Sequence, residues 1–456
     1  MDYKKIVDQL KIENEKLNAM ASFVDYEKQV ENLANLTCDK NNYFYGLPVV
    51  IKDNINMIGT KTTASSKILE NYISVYDATV VKRILNNGGI IVGKTAMDEL
   101  AMGGSGKLAC TGIVHNPYSL DHISGGSSGG SAAVVGSKVI SFSLGSDTGD
   151  SIRKPASYCG CVGVKPTYGL ISRYGVLPYA SSLDHVGYFV DNVLDASLAL
   201  PLLVGRDDKD LTSLDVEPKK YDLNLDTKPL KIAVLNNVLE TINNNDIVST
   251  FNDVAKELST KVTSVDYLDL DADLLRVILP TYYMISNCEA SANLSNLDGI
   301  NFGMAKEGKD VEEIMINSRT LGLGSNVRKR LVIGSYGLHE ENQERYFLKA
   351  QKVRRLICEM FDQVFAQYDL IIAPASNTAP LIEGQDVDFD SDEYLIGDNY
   401  LAYANFNGYP SMTIPLGMSN ELPYGLNITA YKLNEEKMFA VGKKLEEIIN
   451  FNSEVK

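Results

Sequence analysis

The 456-residue chain is poor in the side chains that most often carry hydrolytic and metal chemistry. It has four histidines, His115, His122, His185 and His339, and none lies in a GxSxG elbow or a helical HxxxH pair. That argues against a Ser–His hydrolase of the elbow type and against a zinc site; no metal ligands are assigned. The six cysteines, Cys38, Cys110, Cys159, Cys161, Cys288 and Cys358, are scattered, with no CxxC pair. Such sparse usage fits a reducing compartment, so a cytoplasmic protein is expected. Cys159 and Cys161 read as small buried residues. No apolar run reaches ~18 residues, so no transmembrane helix is expected. The opening MDYKKIVDQLKIENEKL lacks the apolar stretch of a secretory signal. Ile6, Leu10 and Leu17 lie near helical spacing and predict an amphipathic helix instead.

Basic residues are also scarce relative to acidic ones. The formal net charge is −16, and a surface this acidic repels phosphate backbones. Broad nucleic-acid binding by this chain alone is therefore not expected. What is present is a normal globular share of hydrophobic residues, 45%, enough for a large core. The length would suit about three average domains, but a large α/β enzyme can fill it as one unit.

The texture changes along the chain. Residues 1–43 read as a helical, peripheral segment. Residues 44–205 are rich in Gly and Ser, with short apolar runs between tight turns. LPVVI (47–51), GIIVG (89–93) and VISFSL (139–144) predict buried strands; residues 78–88 and 131–138 predict helices. This alternation predicts an α/β fold, with a central twisted mixed, mostly parallel sheet covered by helices on both faces. Residues 206–230 are polar and turn-rich, an excursion between ordered parts. Strand-like order resumes at KIAVL (231–235). A charged helix is predicted over 340–366, a strand at DLIIAPA (369–375), a solvated acidic loop at 383–394, and a final helix near 434–449.

Four short segments could carry chemistry. Residues 88–95 match the P-loop string GxxxxGK[ST]. A P-loop needs a strand before its first glycine and a phosphate-cradling loop after it. Here a helical stretch comes first and Ile90-Ile91-Val92 favours a strand, so the match reads as a helix–turn–strand connection. Residues 124–131, SGGSSGGS, form a backbone that can bend sharply and approach a ligand closely. Residues 145–153, GSDTGDSIR, follow a strand and put Ser151 on a tight exit turn, where successive N–H groups can point at an oxyanion. Lys52 ends the run LPVVI, where burial lowers a lysine pKa and makes a neutral base. Each segment alone also fits an ordinary capped turn or strand end. Together they supply a serine and a base, and Ser–Lys pairs can replace Ser–His.

Taken jointly, GLPVVIKDNI, SGGSSGGSAA and GSDTGDSIRKPAS resemble the amidase signature family, in this order and at these separations. The likeness continues through residues 161–187 and MDELAMGGS (97–105). It extends to residues 289–303, 327–338 and 397–417, and is weakest before residue 44 and in 206–270. Within the family it looks most like the tRNA-dependent aspartyl/glutamyl amidotransferase branch. The resemblance implies one domain over 44–456, with core motifs in 44–205 and an amide-donor-binding part in 231–456. It implies Ser151 as nucleophile, Ser127 as bridging serine after a cis peptide bond, Lys52 as base and Ser128 as support for Lys52. The backbone N–H groups of Thr148, Gly149, Asp150 and Ser151 are the implied oxyanion hole.

In that branch the amide donor is glutamine. Arg330 and Asp398 match the positions that take its carboxylate and amino groups, with Tyr282 a further contact. For Arg330 the register leaves Arg328 and Lys329 open, and Tyr283 adjoins Tyr282. A structural polar role stays open for all three. The resemblance further implies partner subunits B and C. Ammonia would pass to a partner that uses ATP and magnesium to amidate glutamyl-tRNA, so this chain carries no cofactor and meets tRNA mainly through that partner. A stand-alone small-molecule amidase and a catalytically silent scaffold are the alternatives. Three departures from the family pattern stand out: Asp150 where glycine is usual, Asn301 where arginine is common, and Gly106-Lys107. Asp150 is expected to face outward, since a carboxylate aimed at an oxyanion would oppose its formation.

Overall fold

The computed structural model describes residues 1–384, 388 and 390–451. Eleven strands form one sheet: β1 (Met20–Phe23), β2 (Pro48–Lys52), β3 (Ile90–Thr95), β4 (Phe142–Asp147), β5 (Val162–Lys165), β6 (His185–Val190), β7 (Lys231–Leu235), β8 (Ser264–Leu268), β9 (Leu370–Pro374), β10 (Ser411–Ser419) and β11 (Leu422–Ala430). Their spatial order is β1-β3-β2-β4-β6-β5-β10-β11-β9-β7-β8.

Side-chain alternation along the strands builds two cores from one sheet. In β2, Val49 and Ile51 enter the core on one face, while Val50 enters the opposite one. In β9, Leu370 and Ile372 share the first face, and Ile371 and Ala373 take the other. The first face is covered by helices Thr79–Asn86, Val193–Leu203, Asn245–Ser259 and Glu435–Ile449. The second carries Tyr3–Leu17, Gly129–Gly136 and Arg153–Cys159 at one end, and Ile278–Asn293, Ser325–Leu338 and Lys349–Phe365 at the other.

The sheet is mixed, but its pairings are not mostly parallel. Parallel pairs join β2 to β3, β2 to β4, β7 to β8 and β7 to β9. The other six pairs among the described residues are antiparallel. The hairpin β10–β11 accounts for much of the difference. Its two turn residues, Asn420 and Glu421, both take positive φ, the backbone a tight two-residue hairpin needs. An Asn-Glu turn is a weak signal in sequence, so two long central strands went unread.

Residues 1–43 are not helical throughout, because β1 pairs with β3 at the sheet edge. The strand expected at 139–144 begins three residues later, at Phe142. Residues 88–95 form the expected connection: Gly88 turns at φ 83° and Ile90–Thr95 is β3. Lys94 of that string is buried and pairs with Asp53 at 3.5 Å, which gives it a structural partner. The helix over 340–366 is interrupted by a wider π turn at Glu344–Leu348. The excursion 206–230 contains no helix or strand.

Candidate active site

Lys52 closes β2 and faces the same side as Val50. It is fully buried. Its Nζ lies within hydrogen-bond distance of three hydroxyls, Ser127 Oγ at 2.8 Å, Ser128 Oγ at 2.8 Å and Ser146 Oγ at 2.9 Å. Ser128 Oγ in turn donates to the Ser146 carbonyl at 2.9 Å. Burial pushes the Lys52 amine down to about 7, although the charges of Asp98, Asp147 and Asp184 pull it upward. Desolvation wins because the nearest partners are neutral hydroxyls.

Ser127 stands just before helix Gly129–Gly136, and the Gly126–Ser127 peptide bond is cis. Asp98 clamps this loop. Its N–H donates to the Ser127 carbonyl at 3.1 Å, and its carboxylate accepts from the N–H groups of Ser105, Gly106 and Leu108. A Cβ on Gly126 would lie 1.9 Å from Asp98 Oδ2, so only glycine fits there.

Ser151 sits in the turn between β4 and helix Arg153–Cys159. The Ser128 N–H donates to the Ser151 carbonyl at 3.3 Å, which joins the two serine motifs. Among the described residues the Ser151 hydroxyl makes no hydrogen bond, so its link to Ser127 is not closed in this structure. Catalytic hydrogen bonds of this kind commonly close only in the complex with substrate. The N–H groups of Thr148, Gly149, Asp150 and Ser151 also donate to no acceptor among the described residues. Four consecutive unpaired donors make an anion-binding backbone segment.

The turn is held from behind. Asp147 accepts from the Ile152 N–H at 2.9 Å, from Arg153 at 2.9 Å and from Asn405 at 2.9 Å. Arg153 also donates to the Gly149 carbonyl at 2.7 Å. Burial would raise the Asp147 carboxyl, but the Arg153 guanidinium and these hydrogen bonds hold it well below the usual carboxylate range. Thr148 Oγ1 donates to Asp184 at 2.7 Å, which fixes the start of the turn.

In front of the turn lies a cavity of about 560 Å³. Gly149, Asp150, Lys154, Tyr282, Arg330 and Asp398 line it. Tyr282 packs so close to Gly149 that a Cβ there would lie 2.9 Å from its ring. Arg330 donates to the Tyr179 hydroxyl at 3.0 Å and stacks 4.9 Å from the Tyr283 ring centroid. It has no carboxylate partner among the described residues. Arg328 and Lys329 are exposed, so only Arg330 of the three reaches the cavity. Asp398 Oδ1 is buried without a hydrogen-bond partner, and burial raises its carboxyl pKa while Lys154 opposes the shift. A guanidinium and a carboxylate, neither neutralised by hydrogen-bonded counter-charge, thus share one cavity.

Two expectations are corrected. Asp150 does not face away from the site; it lines the cavity, with its carboxylate 2.9 Å from Lys154 Nζ. The ion pair draws it along the cavity wall. Its φ is not positive, so no left-handed backbone is needed. The acidic stretch 383–394 is not simply a solvated loop, because Asp388, Ser391, Glu393 and Tyr394 border the cavity. Of that stretch, Gln385, Asp386, Val387 and Phe389 lie outside the described residues. The remaining departures are local: Asn301 bonds to Asp298, and Lys107 donates to the Ile382 carbonyl at 2.6 Å.

Residue-by-residue reading missed Ser146, Asn54, Asp98 and the Asp147–Arg153–Asn405 cluster. Asn54 donates to Ser146 Oγ at 3.1 Å and so braces the third hydroxyl around Lys52. Asn54, Ser146, Asp147 and Arg153 lie inside the three motifs, so adjacency was the available signal for them, whereas Asp98 and Asn405 lie in the separate segments 97–105 and 397–417. Among the described residues, no group of three or more His, Cys, Asp or Glu is placed to hold a metal ion. No described helix is long and apolar enough to cross a membrane.

A buried lysine among serines, next to a bank of free N–H groups on a large mixed sheet, defines an amidase-type enzyme. The sequence model of the Amidase family matches residues 4–439, and the chain belongs to that family. It is 40% identical over 420 residues to the glutamyl-tRNA(Gln) amidotransferase A subunit of Caldanaerobacter subterraneus subsp. tengcongensis, covering 90% of this chain and 84% of that one. It is 39% identical over 448 residues to the protein of the same name from Pediococcus pentosaceus, covering 98% and 90%. Among solved structures, the glutamyl-tRNA(Gln) amidotransferase A subunit of Thermotoga maritima superposes with a TM-score of 0.81 at 34% identity, covering 99% of this chain and 94% of that one. The peptide amidase of Stenotrophomonas maltophilia gives 0.81 at 26% identity, covering 96% and 91%.

Proposed function

We propose that this chain is the glutamine-hydrolysing component of a cytoplasmic tRNA-dependent amidotransferase, with Ser151 as nucleophile. The observation that carries the reading is the Lys52–Ser127 hydrogen bond of 2.8 Å, set beside Ser151 and a cavity that offers both Arg330 and Asp398.

The direction of proton flow follows from the hydroxyl network. Ser128 donates its proton to the Ser146 carbonyl, so toward Lys52 it can only accept. A neutral amine has two N–H bonds, which serve Ser128 and Ser146, and one lone pair, which remains for the Ser127 hydroxyl. Lys52 takes the Ser127 proton as Ser127 takes that of Ser151. Ser151 Oγ then bonds to the amide carbon. The oxyanion is met by N–H groups from Thr148 to Ser151; losing one such donor typically costs ~2.7–4 kcal/mol. The proton returns through Ser127 to the nitrogen, the C–N bond breaks, and ammonia leaves. Water then attacks the acyl-enzyme by the same relay and releases glutamate.

A free amino-acid amide carries one carboxylate and one ammonium. Arg330 and Asp398 suit those groups by charge-assisted hydrogen bonds, and Tyr282 walls the space between them and Gly149. Partner subunits B and C, with ATP and magnesium at the partner's own site, use the ammonia on glutamyl-tRNA. The net charge of −16 supports leaving most of the tRNA contact to the partner. The test is ammonia release from glutamine, and glutamine-dependent amidation in the assembled complex. Amidation that continues with glutamine after Ser151→Ala sinks the reading.

A further inference from the structure

Asp150 contributes one of the four free N–H groups, yet its side chain is an acid. An unbalanced carboxylate one side chain away from the oxyanion position would repel the charge that forms there. The structure supplies a balance. Lys154 lies one helical turn on, its N–H donating to the Asp150 carbonyl at 3.0 Å and its Nζ 2.9 Å from Asp150 Oδ2. Both side chains are largely withdrawn from solvent, at 9% and 21% exposure, so their attraction is weakly screened. Both line the cavity with Arg330 and Asp398.

We propose that Lys154 is a positioning residue for the reaction: its ammonium cancels the Asp150 carboxylate and anchors it along the cavity wall, so that the oxyanion forms beside a neutral pair. This deepens the amide-hydrolase reading above and rests on it. The remaining surroundings agree. Burial alone would lower the Lys154 ammonium, but Asp150, Tyr158 and Asp398 outweigh burial and keep it protonated. The oxyanion exists only in the transition state and intermediate. Loss of the counter-charge should therefore appear in kcat and leave KM nearly unchanged.

The experiment measures glutamine hydrolysis by the full-length chain carrying Lys154→Met, Lys154→Arg, or Lys154→Met together with Asp150→Gly. Lys154→Met is expected to lower kcat on the order of tenfold, with KM within about twofold. Lys154→Arg should keep most of the rate, because a cation remains. Adding Asp150→Gly to Lys154→Met should recover most of the loss, because no carboxylate is left to balance. A Lys154→Met enzyme with unchanged kcat overturns the inference. So does a loss that Asp150→Gly does not relieve, since that marks a packing role. Absence of turnover by the unsubstituted chain overturns the amide-hydrolase reading itself.

Discussion

The two sides of the Ser151 turn are built to opposite rules. Behind it, Lys52 is surrounded by hydroxyls and a carbonyl, and the ionic groups that brace the turn are paired, Arg153 with Asp147 at 2.9 Å. In front, Arg330 has no carboxylate partner among the described residues and Asp398 keeps an unpaired oxygen. The contrast shows two uses of burial. Behind the turn, desolvation makes a cation give up its proton. In front, it withdraws Arg330 and Asp398 from water without giving either a hydrogen-bonded counter-charge, the pattern that the proposed binding of a zwitterionic amide needs.

Removing the proposed nucleophile should break the comparison most completely. Ser151→Ala is expected to lower glutamine hydrolysis on the order of 10⁴-fold or more, while titration calorimetry still detects glutamine in the cavity. Lys52→Met should cost on the order of 10³-fold in kcat, the usual scale of a general base. In the unsubstituted enzyme, kcat/KM should rise with pH through about 7, because only the deprotonated Lys52 accepts a proton. A flat profile on either side of that value would show that the base lies elsewhere.

The rear support can be tested by stability. Arg153→Met leaves Asp147 buried without its cation and should destabilise the fold by ~3–5 kcal/mol in chemical denaturation. On the front side, Arg330→Met should lower kcat/KM for glutamine by roughly 10- to 100-fold, mostly through KM. Amides lacking an α-carboxylate should feel little of that change. The smallest effect belongs to Ser146→Ala, about fivefold in kcat, the worth of one hydrogen bond that orients Lys52. Equal losses for glutamine and for a carboxylate-free amide in the Arg330 variant would erase the division between the two sides.

Much of the rear side was legible in the chain. Lys52, Ser127, Ser128 and Ser151 stand in compact motifs whose residue types suit a serine–lysine relay, and the family resemblance joins them. The front side was harder to read. Arg330 lies on helix Ser325–Leu338 beside two other basic residues, and only burial separates it from Arg328 and Lys329. Asp150 is compatible in sequence with an outward side chain; its partner, four residues later, is fixed only by the helical turn between them. The hairpin β10–β11 was missed because Asn-Glu is an uncommon tight turn, and strand β11 is buried along its whole length with little alternation to read.

The sequence by itself determined which groups are available: Lys52 at the end of an apolar run, serines in glycine-rich turns, and no histidine in a GxSxG elbow. It also determined the two-faced strands, because alternation is a local property of extended backbone. Only the tertiary structure decided which charges are paired and which are free. That choice depends on burial and on contacts between segments more than two hundred residues apart, such as Arg153 with Asn405. Desolvation is a property of the assembled surroundings, so the lowered Lys52 and the unpaired Oδ1 of Asp398 exist only once the sheet and both its helical layers have closed around them.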